Sequence, residues 1–132
     1  MSVPTKAVGV PFKVHLIGAT TGKAWPGEFR AKKSLSFRDK LAADAYRREL
    51  IGGVAGAVDG EAAAAALVIS QLSVRLTECP EWWTASKGGL DLEDANVLES
   101  VYKEALKIED DYLKQVEAEG KAAQEALRAE KK

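Results

Sequence analysis

The sequence predicts a mainly α fold: a small helical domain of about three main helices with an N-terminal β-hairpin. Three observations carry that prediction. From Phe12 to Ile17 strongly apolar residues alternate with others, the period of a half-buried strand. From Gly60 to Glu78 an alanine-rich run is apolar on almost every side, as a helix buried by its own fold or by a neighbouring subunit is. From Leu98 to Tyr112 apolar residues recur at spacings of three and four, the stripe of a helix packed along its length.

Residues 1–11 hold two prolines and no periodicity, and are expected to be an irregular or mobile arm. Phe12, Val14 and Leu16 then face one way, with Lys13, His15 and Ile17 opposite. Gly18-Ala19-Thr20-Thr21-Gly22 is a turn. A second extended run, Lys23 to Lys33, returns with Trp25 and Phe29 as anchors. Pro26 and Gly27 interrupt it, which predicts a bulge or an edge position there. The edge of this hairpin needs covering or pairing.

Ser36-Phe37-Arg38-Asp39 is a capping-box-like helix start, with Asp in place of the usual Glu or Gln. Phe37, Leu41, Ala45 and Leu50, with Tyr46 alongside, form an expected apolar face. Asp44 and Arg48 make an i, i+4 pair on the exposed side, and Gly52-Gly53 ends the helix. After a link at 54–59, Asp59 caps a second helix running from Gly60 to about Glu78. Its alanines, Ala62 to Ala66, let a neighbour approach closely and place it at the centre of the bundle.

The stretch Leu76 to Thr84 reads as a joint between two long helices, with Pro80 stopping the first. It carries two of the three tryptophans, Trp82 and Trp83. Adjacent residues point in different directions, so one ring is expected to plug the core and the other to lie partly exposed. Lys87-Gly88-Gly89 is a turn, and Asp91 the expected N-cap of a third helix. Leu98, Val101, Ala105, Ile108 and Tyr112 mark its seam, with Gln115 at the next position. The domain is thus expected to span 12–119, followed by a charged tail, 120–132, whose only large apolar residue is Leu127.

The 132 residues suffice for one domain with a core of its own. A single cysteine, Cys79, excludes an intrachain disulfide. No apolar run approaches the roughly 20 residues that span a bilayer, so no membrane partner is expected. The net charge of −1 conceals a polarity: residues 1–48 hold ten Lys/Arg against three Asp/Glu, and residues 49–132 nine against seventeen. Such a chain can steer toward a charged partner or associate head to tail with copies of itself, or the asymmetry is only solvated surface.

No set of convergent polar groups points to catalysis, and no cofactor or metal is expected. His15 is the only histidine, and Glu109-Asp110-Asp111 reads as a solvated charge run, since successive helical residues diverge. Gly18 to Lys23 approaches the phosphate-loop pattern but is one residue short, with Ala24 where Ser or Thr should stand. Lys32, Lys33, Arg38, Lys40, Arg47 and Arg48 form the densest basic region. The slightly negative net charge and the lack of a reading motif disfavour nucleic acid as a partner.

Taken together, these features resemble the tail assembly chaperones of long-tailed, siphovirus-type bacteriophages. The likeness covers about residues 13–115: the hairpin with Gly22, Trp25, Gly27 and Phe29, the Ser36–Asp39 start, the helix with Leu41, Asp44 and Arg47-Arg48, the alanine-rich helix, Pro80-Glu81-Trp82-Trp83, and the acidic helix from Leu92. Each motif alone is unspecific. The resemblance implies a helical, non-enzymatic protein that binds the tape measure protein in the host cell cytoplasm. Such chaperones keep that protein soluble, help recruit tail tube subunits, and are absent from the mature virion. Many also exist in a longer, frameshifted form; this chain would be the short one, and the longer form a partner. Homo-oligomers are expected. The residues expected at partner or self-association surfaces are Trp82, Trp83, Leu98, Val101, Ile108, Tyr112, Arg47 and Arg48. The alternative is a small DNA-associated phage or bacterial protein using the basic helix at 36–51.

Overall fold

The computed structural model describes residues 9–52 and 59–130, and it is mainly helical behind a small antiparallel sheet. Strand β1 (Val10–Ile17) and strand β2 (Ala24–Ala31) form the hairpin, with partners running from Val10 opposite Ala31 to Ile17 opposite Ala24. Alternation works as expected: Val14 is buried and Phe12 and Leu16 partly so, while Lys13, His15 and Ile17 are exposed. Val10 and Pro11, assigned above to the arm, belong to β1, and residues 1–8 lie outside the described residues.

The expected interruption at Pro26 does not break the hairpin register, in which Pro26 faces His15 without a shift. The Pro26 carbonyl accepts a bond from the Trp82 indole, away from β1. In a strand a residue's N and C=O point to the same side, so the N–H that proline lacks is one β1 never needed. Pro26 thus sits on a local edge, as expected.

Helix α1 (Phe37–Leu50) opens with the capping box: Asp39 N donates to Ser36 Oγ at 3.1 Å and Ser36 N to the Asp39 carboxylate at 3.1 Å. Its expected apolar face is not buried. Phe37 is 82% exposed and Leu41 71%, and the residue that α1 buries is Ala43. α1 lies against α2 (Gly60–Arg75) with this small side chain buried and Tyr46 and Leu50 partly so, while Phe37 and Leu41 stay outside. Residues 53–58, with most of the expected link, lie outside the described residues.

α2 holds the central position, touching α1 and the long C-terminal helix. It buries Ala66, Ile69, Ser70, Leu72 and Arg75, whereas Ala62, Ala64 and Leu67 are exposed. It ends at Arg75 rather than near Glu78. Leu76–Glu78 instead forms a third strand, β3, on the free side of β2, giving the order β1-β2-β3. Ala31 faces Leu76 and Arg30 faces Glu78, so Thr77 is the extra residue of a bulge. The edge that needed covering is paired here by the joint itself. An Arg30–Glu78 ion pair at 3.2 Å crosses the same two strands.

Pro80 therefore does not stop α2; it opens a short helix, α3 (Glu81–Ala85), that carries both joint tryptophans. Lys87, Gly88 and Gly89 follow with positive φ, the turn expected there. The last helix, α4 (Ala95–Glu130), starts four residues later than Asp91 and runs for 36 residues, about 54 Å at 1.5 Å per residue. It continues through Gly120 and the segment read as a tail. The core gathers Val14, Phe29, Ala31, Leu72, Trp83, Val101 and Ala105, from the sheet, α2, α3 and α4.

Candidate partner-binding surface

Three internal ties decide which surfaces remain open. The first is at Asp94, just before α4, whose side chain is fully buried. Its carboxylate accepts the backbone N–H groups of Thr20 and Thr21 at 2.8 Å, the Thr21 hydroxyl at 2.6 Å and the Trp25 indole at 2.8 Å. Asn96 adds a bond from Ala19 N at 2.9 Å and one to the Ile17 carbonyl at 3.0 Å. The glycine-rich turn thus cradles an anion through backbone N–H groups, as phosphate-binding nests do. That anion is the protein's own carboxylate. Burial pushes the Asp94 carboxyl up, but the Thr21, Trp25 and Thr20 bonds outweigh it and hold the group down at about 2. A Cβ on Gly18 would collide with this carboxylate, so glycine is needed there.

The second tie is aromatic. Trp83 is 4% exposed and stands edge-on to Phe29, with centroids 5.6 Å apart at 82°. Phe29 also stacks on Phe12 at 5.2 Å. Trp82 is partly buried, tilted on Trp25 at 4.9 Å, and its Nε1 donates to the Pro26 carbonyl at 2.7 Å. A Cβ on Gly27 would meet the Pro80 ring at 2.7 Å, so β2 needs glycine to let the joint approach. Trp83 is thus the buried plug and Trp82 the partly exposed ring, but Trp82 rests on Trp25 and Pro26 of β2 rather than beside an open helix face.

The third tie joins α2 to α4. Arg75 is buried, and its guanidinium lies 3.1 Å from one Glu109 oxygen and 3.5 Å from the other, with Gln71 accepting from Nε at 3.2 Å. The shorter approach is an ion pair whose angle is unsuited to a hydrogen bond. Glu109 is therefore no member of a solvated run, whereas Asp110 pairs along the surface with Lys114 at 3.0 Å.

These ties place the residues expected to meet a partner. Val101 is fully buried, and Leu98 and Ile108 pack partly buried against the same core. The α4 seam is thus spent on the chain's own fold. Tyr112, the last seam residue, is partly buried, with the Lys33 ammonium 5.7 Å from its ring centre. Arg47 and Arg48 are both held by Asp44, at 3.0 and 2.9 Å. The Arg47 hydrogen bond, with Arg48 beside it, holds the Asp44 carboxyl below its usual range. Lys32 does the same for Asp39 at 3.0 Å. Three of the six basic side chains are therefore engaged by two carboxylates of the same chain. Cys79 is half-buried, and burial with Glu78 nearby raises its thiol, leaving little thiolate for reaction.

The open surface lies elsewhere. Phe37 and Leu41, one turn apart on α1, form an exposed stripe. Beyond Tyr112 every residue of α4 to Glu130 is exposed, a projection of about 27 Å carrying Leu113, Val116 and Leu127. A cavity lies between the start of α1, the end of α2 and α4, lined by Leu35, Lys40, Gln71, Arg75, Glu109 and Leu113. The Lys40 ammonium sits 5.4 Å from the centre of the Phe37 ring. The sequence marked Phe37 and Leu41 as apolar, yet nothing local shows that no element covers them. Exposed Leu, Val and Phe at helical spacing offer, on each of these helices, a face suited to another helix.

Among the described residues no three His, Cys, Asp or Glu are placed to hold a metal ion, and no helix is long and apolar enough to cross a membrane. Comparisons of the chain with protein-family models, curated proteins and solved structures find no match.

Proposed function

We propose that this chain is a non-enzymatic chaperone of phage tail assembly that binds helical segments of the tape measure protein. The observation that carries the reading is the exposed apolar surface of Phe37, Leu41, Leu113, Val116 and Leu127, carried by two helices of a body tied internally at Asp94, Trp83 and Arg75. Large apolar side chains grouped at helical spacing on an exposed face mark an interaction site more often than the same residues scattered singly. A client helix laid along them exchanges its own aggregation-prone stripe for this one. The chaperone then acts in the host cytoplasm, with the longer form of itself as a second partner and tail tube protein recruited indirectly. It leaves before the virion matures.

Binding to DNA through the helix at 36–51 is the weaker reading, because Asp39 and Asp44 already hold Lys32, Arg47 and Arg48. Co-expression with the tape measure protein tests the proposal: a soluble complex that co-purifies supports it, and an insoluble partner left behind rejects it. A mobility assay on duplex DNA at low salt, showing a shift abolished by added salt, would instead support the DNA reading.

A further inference from the structure

We infer that the groove between the first halves of α2 and α4 is a second docking site, which takes one large apolar side chain from a positively charged helical segment of another protein. α2 presents Glu61, Ala64, Ala65 and Val68 to the groove, spaced as one face of a helix. α4 presents Ala95, Leu98 and Glu99 from the other side. Between the two walls lies a cavity of about 150 Å³. An apolar cavity of that size accommodates a benzene-sized group, so a Leu or Phe side chain can fill it. Val68 and Leu98 are partly buried and packed on the core, so the fold holds them in place, whereas Ala64 and Ala95 are exposed. Alanines on both walls let the backbone of an entering helix come close.

The charge around the cavity selects the occupant. The segments that build this end, 59–68 and 91–99, contain no Lys or Arg. Asp59, Glu61, Asp91, Glu93 and Glu99 are all exposed, and none takes part in an ion pair among the described residues. The helix dipole accounts for Asp59 and Glu61 at the start of α2. It does not account for Glu99, which stands in the second turn of α4, where that effect has faded. An apolar slot set in an uncompensated acidic field suits a segment whose anchor is flanked by Lys or Arg, and repels an acidic one.

The inference goes beyond the function proposed above. The groove shares no residue with the surface assigned to the client, and Leu98 lies about 22 Å along α4 from Leu113. Both sites can be filled at once, so that one chain joins two different proteins.

Fluorescence anisotropy on the purified full chain tests this with labelled model peptides of about 14 residues: an amphipathic Leu/Lys helix, its Leu/Glu counterpart and an oligolysine. The Leu/Lys helix should bind at least about tenfold more tightly than either of the others, and more weakly as salt rises. Ala64→Trp, which fills the groove, and Glu61→Lys/Glu99→Lys, which reverses its rim, should each weaken that binding at least about tenfold. Glu117→Lys/Glu119→Lys, the same charge change on the projecting end of α4, should change it less than about twofold. Equal binding of all the peptides overturns the inference, and so does wild-type affinity in the groove variants. An equal loss from Glu117→Lys/Glu119→Lys, which would mean diffuse attraction to an acidic chain, overturns it as well. Sedimentation without peptide covers the other occupant: a wild-type dimer that Ala64→Trp breaks would put a second copy in the groove and overturn the inference. Glu61, Ala64 and Glu99 are exposed, and far-UV circular dichroism checks that the variants fold. Should either groove variant unfold, Glu61→Gln/Glu99→Gln serves instead. It should weaken binding of the Leu/Lys helix several-fold and flatten the salt dependence; an unchanged affinity overturns the inference.

Discussion

Replacing Trp83 and Trp82 by alanine, one at a time, should separate a core residue from a partly exposed residue of the joint. Trp83 is 4% exposed, edge-on to Phe29 at 5.6 Å and to Trp82 at 6.1 Å. A tryptophan buries on the order of 150–250 Å². At about 25 cal/mol per Å² that is about 4–6 kcal/mol, in line with the roughly 3–5 kcal/mol expected for large-to-small core changes. Trp83→Ala should therefore lose about 4 kcal/mol, a fall in Tm of about 12–16 °C for a chain of this size. Trp82 is only partly buried, and its bond to the Pro26 carbonyl lies where water can replace it. Trp82→Ala should lose about 2 kcal/mol: roughly 1 from the hydrogen bond and the rest from lost packing on Trp25. Thermal unfolding followed by circular dichroism at 222 nm reads both. Equal losses, or a larger loss for Trp82, would refute the assignment of Trp83 as the plug.

Other outcomes follow from the two remaining ties. Gly18→Ala drives a methyl into the Asp94 carboxylate and should lower Tm clearly, whereas Gly22→Ser, where a Cβ meets nothing but φ is 73°, should cost less. Asp94 is held at about 2 against an ordinary 3.8, so its stabilising effect is complete above about pH 4 and lost as pH falls through 2. Acid unfolding of the wild type should show that loss between pH 4 and 2, and Asp94→Asn should flatten it; an unchanged slope would show that the carboxylate carries no linkage. Glu109→Ala strands a buried guanidinium and should cost about 3 kcal/mol, while Asp110→Ala, losing a surface pair with Lys114, should cost less than about 1 kcal/mol in urea titrations. Similar costs would return Glu109 to the solvated run.

Much of the fold was legible because it is coded locally. The alternation around Val14 fixes which face of β1 is buried, and Ser36 and Asp39 lie three residues apart and cap α1 as their spacing dictates. The features missed are those whose partners are distant in sequence. Asp94 grips Thr20 and Thr21 more than seventy residues away, and Arg75 meets Glu109 across two helices, so neither shows in a local pattern. β3 was missed because Leu76 continues the apolar run of α2, and only the open edge of β2 turns those residues into a strand. The open surface was missed for the opposite reason. An apolar stripe announces itself in sequence, but whether its cover is the chain's own or another's does not, and Phe37 and Val101 look alike until the packing is known.

The central claim is that the apolar surface on α1 and the end of α4 holds a helical client. Its most direct test is the soluble fraction of the tape measure protein co-expressed with the wild type, with Leu113→Glu/Leu127→Glu, and with Trp82→Ala as a control away from that surface. The account predicts a soluble, co-purifying client with the wild type and the control, and a client lost to the pellet with the surface variant. Equal solubility with all three, or none with the wild type, would contradict it.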